Sequence, residues 1–324
     1  MPKAEAGSQP WSPVCCILTA GLAGLAALTA CGLLHAAVCA FSWQNFHFLD
    51  YGGYTNMLWN TAHARPFLVL VDRSYLEAHL SFTLALLAPL YRAWDHPLLL
   101  VAVQWLLIVG GTAWVVRTAL QHGLSRLTVA VTAVFMLGYP FAQGTMLSEF
   151  HGTSLLFLLL PWLYDRLTRQ PASAWLPLLL LLGVREDSFL VVLPILVLFA
   201  FKQRSLLVWL FAAGALVYGV TAIFFIYPAI NGMSLLDFRA NWLPTLAGGD
   251  GIGWTIGARE RLPALAWTLL PLLPALWRDW KTALAFVALP LGIAMLSTSS
   301  YQHALRVHYA TPVLVCIVLA LLAD

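Results

Sequence analysis

Residues 14–41 read VCCILTAGLAGLAALTACGLLHAAVCAF and contain no Asp, Glu, Lys or Arg. A helix of this length and composition can cross the roughly 30 Å hydrocarbon core of a bilayer with some tilt. The rest of the chain has the same character, since 61% of its 324 residues are hydrophobic and only 10% are charged. Soluble domains carry about 25% charged residues. The sequence therefore predicts an all-α polytopic membrane protein.

A carboxylate follows this apolar run closely. The stretch FLDYGGY at 48–54 puts Asp50 next to two tyrosines and two glycines. Carboxylates are costly in hydrocarbon, so Asp50 is expected in the polar interface or in a water-filled cavity. A carboxylate in such a place is suited to act as a general base for a hydroxyl, or as a metal ligand. The alternative is structural, because Asp is a good N-cap and would then begin the next helix.

The remaining apolar runs set the number of crossings. They lie at 78–94, 97–118, 126–142, 152–167, 173–184, 188–201, 205–228, 263–277, 282–297 and 309–323. We place the N-terminus in the cytoplasm and treat 78–94 as a re-entrant or interfacial segment that does not cross. Every inner loop then carries Lys or Arg, as the positive-inside rule expects. This model has ten crossings, with both termini inside.

The loops of this model divide a single transmembrane domain, residues 1–324. A cytoplasmic tail covers 1–13, and the first outer loop, 42–96, holds a short interfacial helix at 54–61 besides the re-entrant segment. A second outer loop, 229–262, contains GGDGIG at 248–253. No strand precedes these glycines, so a flexible flap is a better interpretation than a nucleotide site. The formal charge of +3 is small, and no basic patch indicates nucleic acid.

Two groups of ionisable residues fall on the outer side of this model. Glu149 and His151 join two apolar runs, where they could bind a metal, orient an acceptor or shuttle a proton. Alternatively they only solvate a turn.

Arg185, Glu186 and Asp187 interrupt a long apolar stretch and form the tip of a hairpin. The guanidinium suits a phosphate, and the two acids could hold a metal or pair with it. Alternatively the three form a self-neutralising cluster.

Other outer residues are predicted to contact a substrate. His79 precedes the 78–94 segment, and Arg306 and His308 precede the last apolar run. These side chains could bind an anionic lipid headgroup, although His and Arg are also ordinary interfacial anchors. Tyr54 and Trp59, in the first outer loop, complete the predicted substrate contacts. The nine histidines include no HExxH pair and no Cys/His cluster, so a zinc hydrolase is not indicated.

The order of these motifs resembles a known family. An acid after the first span is followed by Leu58-Trp59-Asn60, Glu77-Ala78-His79-Leu80-Ser81-Phe82, Ala88-Pro89-Leu90-Tyr91, Glu149-Phe150-His151-Gly152 and Arg185-Glu186-Asp187. This pattern resembles a bacterial family of predicted membrane proteins, the domain of unknown function 2079. The resemblance covers roughly 46–198, with a weaker similarity at 308–312.

The resemblance carries an implied activity. The family looks like a branch of the C-type glycosyltransferases, which use polyprenyl-phosphate-linked sugars at the outer membrane face. It implies a GT-C-like fold and an inverting transfer with Asp50 as the base. It also places Glu149 as the second acid, and a divalent cation, Mg²⁺ or Mn²⁺, could bind Asp50 and Glu149.

The sequence thus predicts an integral glycosyltransferase of the bacterial cytoplasmic membrane whose active site faces outward. It would pass a sugar from a polyprenyl phosphate to a lipid or glycan hydroxyl, with membrane lipids around it. Asp50 would be the base, Glu149 and His151 would complete the acceptor or metal site, and Arg185 and Arg306 would neutralise the donor phosphate. The flap 229–262 would close over the site. The alternatives are a transporter or flippase for a lipid-linked sugar and a non-catalytic assembly factor.

Overall fold

The computed structural model describes residues 13–42, 48–70, 73–232, 252–296, 304–305 and 307–323. The α-helices are α1 Pro13–Ser42, α2 Phe48–Ala62, α3 Ala88–Ala93, α4 Leu98–Gln121, α5 Arg126–Gly138, α6 Pro140–Leu147, α7 Leu156–Arg169, α8 Trp175–Leu182, α9 Ser188–Gln203, α10 Leu206–Thr221, α11 Tyr227–Asn231, α12 Ile252–Leu296 and α13 Thr311–Leu322. Strands β1 Leu68–Leu70 and β2 Arg73–Ser74 pair in an antiparallel hairpin. Turns of 3-10 helix lie at Tyr75–Glu77, Phe82–Leu87, Gly152–Leu155, Pro171–Ser173 and Val307–Ala310, and a π-helical turn, Ala222–Ile226, joins α10 to α11.

Long apolar helices agree with the predicted membrane protein. Within the described ranges, Pro13–Ser42, Leu98–Gln121 and Leu206–Asn231 are long and apolar enough to cross a bilayer. The pair α5 and α6, bent by 43°, would make a fourth span. Helices α9 and α13, with 16 and 12 residues, are about 24 and 18 Å long, which is short of the bilayer core. The ten crossings therefore stay a prediction.

The predicted first outer loop, 42–96, contains more regular structure than the sequence suggested. Helix α2 begins at Phe48 rather than near residue 54, because tertiary contacts outweigh the low helix propensity of its two glycines. The Tyr51 hydroxyl donates to the Pro97 carbonyl at 2.6 Å, and Tyr54 is buried. The β1–β2 hairpin was not predicted at all. The segment 78–94 forms short helical turns and α3, and its re-entrant or interfacial placement stays a prediction.

The predicted flap, 229–262, is helical at both of its ends. Helix α11 ends at Gly232, whose φ of +66° closes the helix in the left-handed conformation that glycine adopts without strain. Helix α12 already begins at Ile252. Residues 233–251 lie outside the described part of the chain, so the flap itself stays a prediction. Asp279 breaks α12 between the two predicted apolar runs, and its carboxylate accepts the Thr282 amide hydrogen at 3.2 Å.

Three helices share one direction and end together. Gln203 at the end of α9 donates to the Leu167 carbonyl of α7 at 2.6 Å, and the Tyr164 hydroxyl donates to Leu322 of α13 at 3.1 Å. Basic residues collect at this end of the bundle, which we call the basic end: Arg166, Arg169, Lys202, Arg204, Arg278 and Lys281. These are residues that the charge pattern assigned to the inner side. The segments that precede α7, α9 and α13 therefore lie at the opposite end.

Helices α4 and α7 cross at a glycine, and this contact gives a stability prediction. A Cβ atom on Gly111 would lie 2.0 Å from the Phe157 carbonyl oxygen, a backbone atom that cannot turn aside. Overpacking of this kind costs roughly 1–3 kcal/mol. Gly111→Ala is therefore expected to lower the free energy of unfolding by about 2 kcal/mol, measured by thermal and denaturant unfolding in detergent.

Its neighbour on the same helix is the matched control. A Cβ on Gly110 would have its nearest contact at 3.9 Å, with the Leu158 side chain. Both substitutions gain the same helix propensity, so only the crossing distinguishes them. Gly110→Ala should leave stability unchanged or slightly raised. Equal melting temperatures for the two variants would show that the helices do not pack as closely as this.

Candidate functional site

A polar cavity of about 470 Å³ lies at the end of the bundle opposite the basic end. Six parts of the chain that are far apart in sequence line it. The lining residues are Gly53, Tyr54, Val69, Leu70, Arg73, Ser74, Tyr75, Glu77, Ala78, His79, Ser81, His151, Gly152, Thr153, Val184, Arg185, Asn231 and Tyr309. Motifs that the sequence singled out in separate loops thus meet in one place.

The cavity wall contains a histidine held by a buried carboxylate. Glu186 has no exposed surface. Its Oε1 atom lies 2.9 Å from His79 Nδ1, and its Oε2 atom accepts the Leu80 amide hydrogen at 3.0 Å. Burial opposes the ionisation of Glu186, but the hydrogen bond from His79 and the charge of Arg185 outweigh it and hold the pKa of this carboxyl below its ordinary value. Glu186 is therefore an ionised, fully buried acceptor.

Arg185 lies between the two acids that follow it. Its Nη2 atom is 2.9 Å from Asp187 Oδ2, and its Nε atom is 3.9 Å from Glu186 Oε1. The arginine lines the main cavity and also a narrow second cavity of about 50 Å³, which Asp187 lines as well. The sequence left two alternatives for Arg185, a phosphate ligand or a member of a self-neutralising cluster. The two are compatible, because one guanidinium can pair with carboxylates on one edge and face a cavity on another.

A glutamine inside the long apolar helix α4 fixes the loop that carries His151. Gln104 donates from Nε2 to the carbonyls of Thr145, at 2.8 Å, and Ser148, at 3.2 Å. Its Oε1 atom accepts from the Ser154 hydroxyl at 2.7 Å and from the His151 amide at 3.3 Å. All of these groups are buried. This one side chain therefore determines the path of the chain between α6 and α7.

The loop that Gln104 holds presents His151 to the cavity. His151 Nε2 lies 3.2 Å from Glu149 Oε1, and both side chains are buried. The Gly152 amide donates to the Tyr54 hydroxyl at 3.2 Å, and the Tyr54 ring meets the His151 ring edge-on at 5.8 Å. Only His151 of the predicted Glu149–His151 pair lines the cavity; Glu149 lies behind it.

Three helices begin at the cavity. Residues 152–153 precede α7, residues 184–185 precede α9, and Tyr309 precedes α13. The positive dipole ends of helices favour anions at such positions. Arg73 and Arg185 are the cations of the lining, which also contains the carboxylate of Glu77.

The predicted site residues fall into three sets. Tyr54, His79, His151 and Arg185 meet at the main cavity, with Glu186, Glu149 and Asp187 beside them. Trp59 lies elsewhere: its indole donates to Asp95 at 3.1 Å and stacks on His63. The third set is Asp50, Arg306 and His308, whose side chains lie outside the described part of the structure, although the backbone of Asp50 is in α2.

Several cavity residues were not predicted from the sequence, Arg73 and Asn231 among them. A signal for the first was present. Ser74 and Glu77 form a capping box, in which Ser74 Oγ accepts from Leu76 and Glu77 accepts the Ser74 amide hydrogen at 3.0 Å. The S-x-x-E pattern fixes the backbone just after Arg73. Asn231 donates to the Glu77 carbonyl, and nothing local in the sequence indicated that contact.

The metal prediction stays open. Among the side chains that the structure describes, no three His, Cys, Asp or Glu residues converge as ligands. The predicted cation site includes Asp50, whose side chain is outside that set. The divalent cation therefore remains a prediction.

A family model described as "Predicted membrane protein (DUF2079)" matches residues 45–248. This match covers more than half of the chain and includes most of the lining of the cavity. The chain belongs to this family. No curated protein and no solved structure matches it.

Proposed function

We propose that this DUF2079 protein is a membrane glycosyltransferase that moves a sugar from a polyprenyl-phosphate donor to a lipid or glycan hydroxyl. One observation carries the proposal: a polar cavity of about 470 Å³, lined by Arg73 and Arg185 and by the N-terminal ends of three helices, lies at one end of an apolar helical bundle. This volume is in the range of ligand sites for small molecules.

Phosphate recognition is the first requirement of such an enzyme. A guanidinium binds phosphate oxygens in a planar, two-pronged geometry, and helix N-termini add partial positive charge. Arg185 is already positioned by Asp187, so it does not need to be ordered when a ligand binds. As the sugar leaves, negative charge grows on the departing phosphate, and fixed cations stabilise that charge.

The location of the cavity supports a substrate that is anchored in the membrane. The basic end of the bundle is typical of the cytoplasmic side, so the cavity would open toward the outer face of the bacterial cytoplasmic membrane. A polyprenyl chain could then remain in the bilayer while its headgroup enters the cavity. The sequence hypothesis names Asp50 as the base, and the backbone of Asp50 lies one helical turn before Tyr54 on α2.

A flippase for the same lipid-linked sugar is the second candidate, because it would also need a phosphate site. It would have to expose that site to both membrane faces in turn. The described ionisable lining belongs to one end of the bundle, which favours an enzyme. A non-catalytic assembly factor would need no substrate contacts.

The test is transfer of radiolabelled sugar from a panel of polyprenyl-phosphate sugars in membranes that contain the wild type or Arg73→Gln. Arg73 is exposed and lines the cavity, so its replacement is expected to leave the fold intact. Loss of one charge-assisted hydrogen bond costs roughly 1.5 kcal/mol or more, so the KM for the donor should rise about tenfold.

Arg65→Gln is the matched control. Arg65 is an exposed arginine of the same loop that lies over the Trp59 ring and outside the cavity lining. Its KM should equal that of the wild type.

Asp50→Asn, at equal expression, tests the base predicted from the sequence. Absence of transfer by the wild type with every donor would reject the enzyme and favour transport or assembly.

A further inference from the structure

Among the described residues, His79 and Glu186 form a carboxylate–imidazole pair at the cavity wall. We infer that His79, oriented by Glu186, is the proton acceptor of this site, in the role that the sequence gave to Asp50. The inference rests on the proposed transfer reaction, but it also makes a structural claim that can be tested without that reaction.

The geometry fixes which ring nitrogen carries hydrogen. An ionised carboxylate can only accept hydrogen bonds, so the 2.9 Å contact with Glu186 requires a hydrogen on His79 Nδ1. In the neutral ring the lone pair is then on Nε2. Glu186 is held in place by the Leu80 amide as well, at 3.0 Å, so the acceptor cannot turn away.

The same geometry aims the lone pair. Glu186 is fully buried, whereas the His79 side chain keeps 33% of its surface exposed. Because Nδ1 faces Glu186, Nε2 is on the part of the ring directed away from this carboxylate. His79 lines the cavity, and we take this part of its ring to be the one that meets a ligand there. An imidazole held by a buried carboxylate is the arrangement that selects one tautomer and stabilises the imidazolium formed on proton transfer.

The second imidazole of the cavity is less suited to this role. His151 is 7% exposed, and its Nε2 atom contacts Glu149 at 3.2 Å. Its ring also packs edge-on against Tyr54. The backbone of His151 is fixed by Gln104, so it is placed as a wall of the cavity, while His79 presents an open edge.

The proposed transfer is a displacement at the anomeric carbon of the sugar. His79 Nε2 takes the proton from the acceptor hydroxyl, and the hydroxyl oxygen forms a bond to the anomeric carbon of the sugar. The bond between that carbon and the phosphate oxygen breaks, and its electron pair leaves with the polyprenyl phosphate, whose new charge faces Arg185. The proton on His79 passes to solvent or to the leaving phosphate.

The first experiment is chemical rescue in the transfer assay. His79→Ala should lower the transfer rate about 10²–10⁴-fold, the usual contribution of a general base. Added imidazole at tens of millimolar should fill the vacated space and restore the rate at least tenfold. His79→Asn keeps a side-chain donor for Glu186 but has no second ring nitrogen, so it should fold normally and stay inactive.

The matched control is His63→Ala. His63 is an exposed histidine stacked on Trp59, outside the cavity lining, and neither its loss nor added imidazole should change the rate. Transfer by His79→Ala at near the wild-type rate, or a loss that imidazole does not rescue while His79→Asn stays active, would overturn the inference.

The second experiment does not need transfer. Nitrogen NMR of ¹⁵N-histidine-labelled protein, followed to the alkaline end of a pH titration at which the ring is neutral and with the His79 signals assigned from His79→Asn, should show hydrogen on Nδ1 and a bare Nε2. Glu186→Gln should move the ring to the other tautomer. A wild-type His79 with hydrogen on Nε2 would overturn the inference. If the wild type transferred no sugar, the proposed function would fail alone, and this spectrum would still decide the state of His79.

Discussion

Replacing Arg185 with methionine is expected to lower the free energy of unfolding by about 3 kcal/mol and to abolish sugar transfer. The guanidinium is the cation beside two carboxylates, Asp187 at 2.9 Å and Glu186 at 3.9 Å, and all three side chains are at most 18% exposed. Removing one partner from a buried ion pair typically costs roughly 3–5 kcal/mol, because the remaining charge is left uncompensated. Denaturant unfolding in detergent and the transfer assay measure the two effects.

Two further variants separate charge balance from substrate binding. Arg185→Met combined with Asp187→Asn removes the nearer of the two carboxylate charges that Arg185 compensates, so it should regain part of the lost stability but none of the lost transfer. Arg92→Met, at an exposed position of α3 outside the cavity lining, should change stability by less than about 0.5 kcal/mol. A double variant no more stable than Arg185→Met would mean that the ion pair is not what Arg185 contributes to the fold.

The sequence predicted the apolar helices well because their signal is local. Hydrophobic runs such as 14–41 and 97–118 follow directly from composition and became α1 and α4. Local patterns failed to predict elements whose formation depends on tertiary contacts. The two glycines of α2 argued against an early helix start, but the Tyr51–Pro97 hydrogen bond and the burial of Tyr54 stabilise one. The β1–β2 hairpin at the cavity rim has only five residues in strands and no alternating pattern to reveal it.

In the candidate site, too, the sequence predicted individual residues but not the contacts between them. Charges at membrane depth are costly without a function, and that argument alone identified His79, His151 and Arg185. It could not assign their partners. The pair formed by His79 and Glu186 joins residues 107 positions apart, and a single sequence holds no information on such a contact. Arg73 was missed because an arginine in a polar loop is expected to be solvated whether or not it has a function.

Gln104 is a residue whose structural role could not be predicted from hydropathy. It lies within the predicted run 97–118, where one polar residue does not alter the average hydropathy. In the structure it makes four buried hydrogen bonds, one to the last turn of α6 and three to the segment between α6 and α7. Each buried polar group left without a partner costs roughly 1–3 kcal/mol. Gln104→Leu is therefore expected to lower the free energy of unfolding by about 3 kcal/mol, measured by denaturant unfolding in detergent.

Gln143→Leu is the control for losing an amide side chain. Gln143 is half-buried and makes one hydrogen bond, to the Gly138 carbonyl at 2.9 Å, so its loss should cost no more than about 1 kcal/mol. Gln104→Leu should also release His151 from its position and reduce transfer, whereas Gln143→Leu should not. If the two variants were equally stable, the loop that carries His151 would have to be fixed by its other contacts, such as the hydrogen bond from the Gly152 amide to Tyr54 of α2, and not by Gln104.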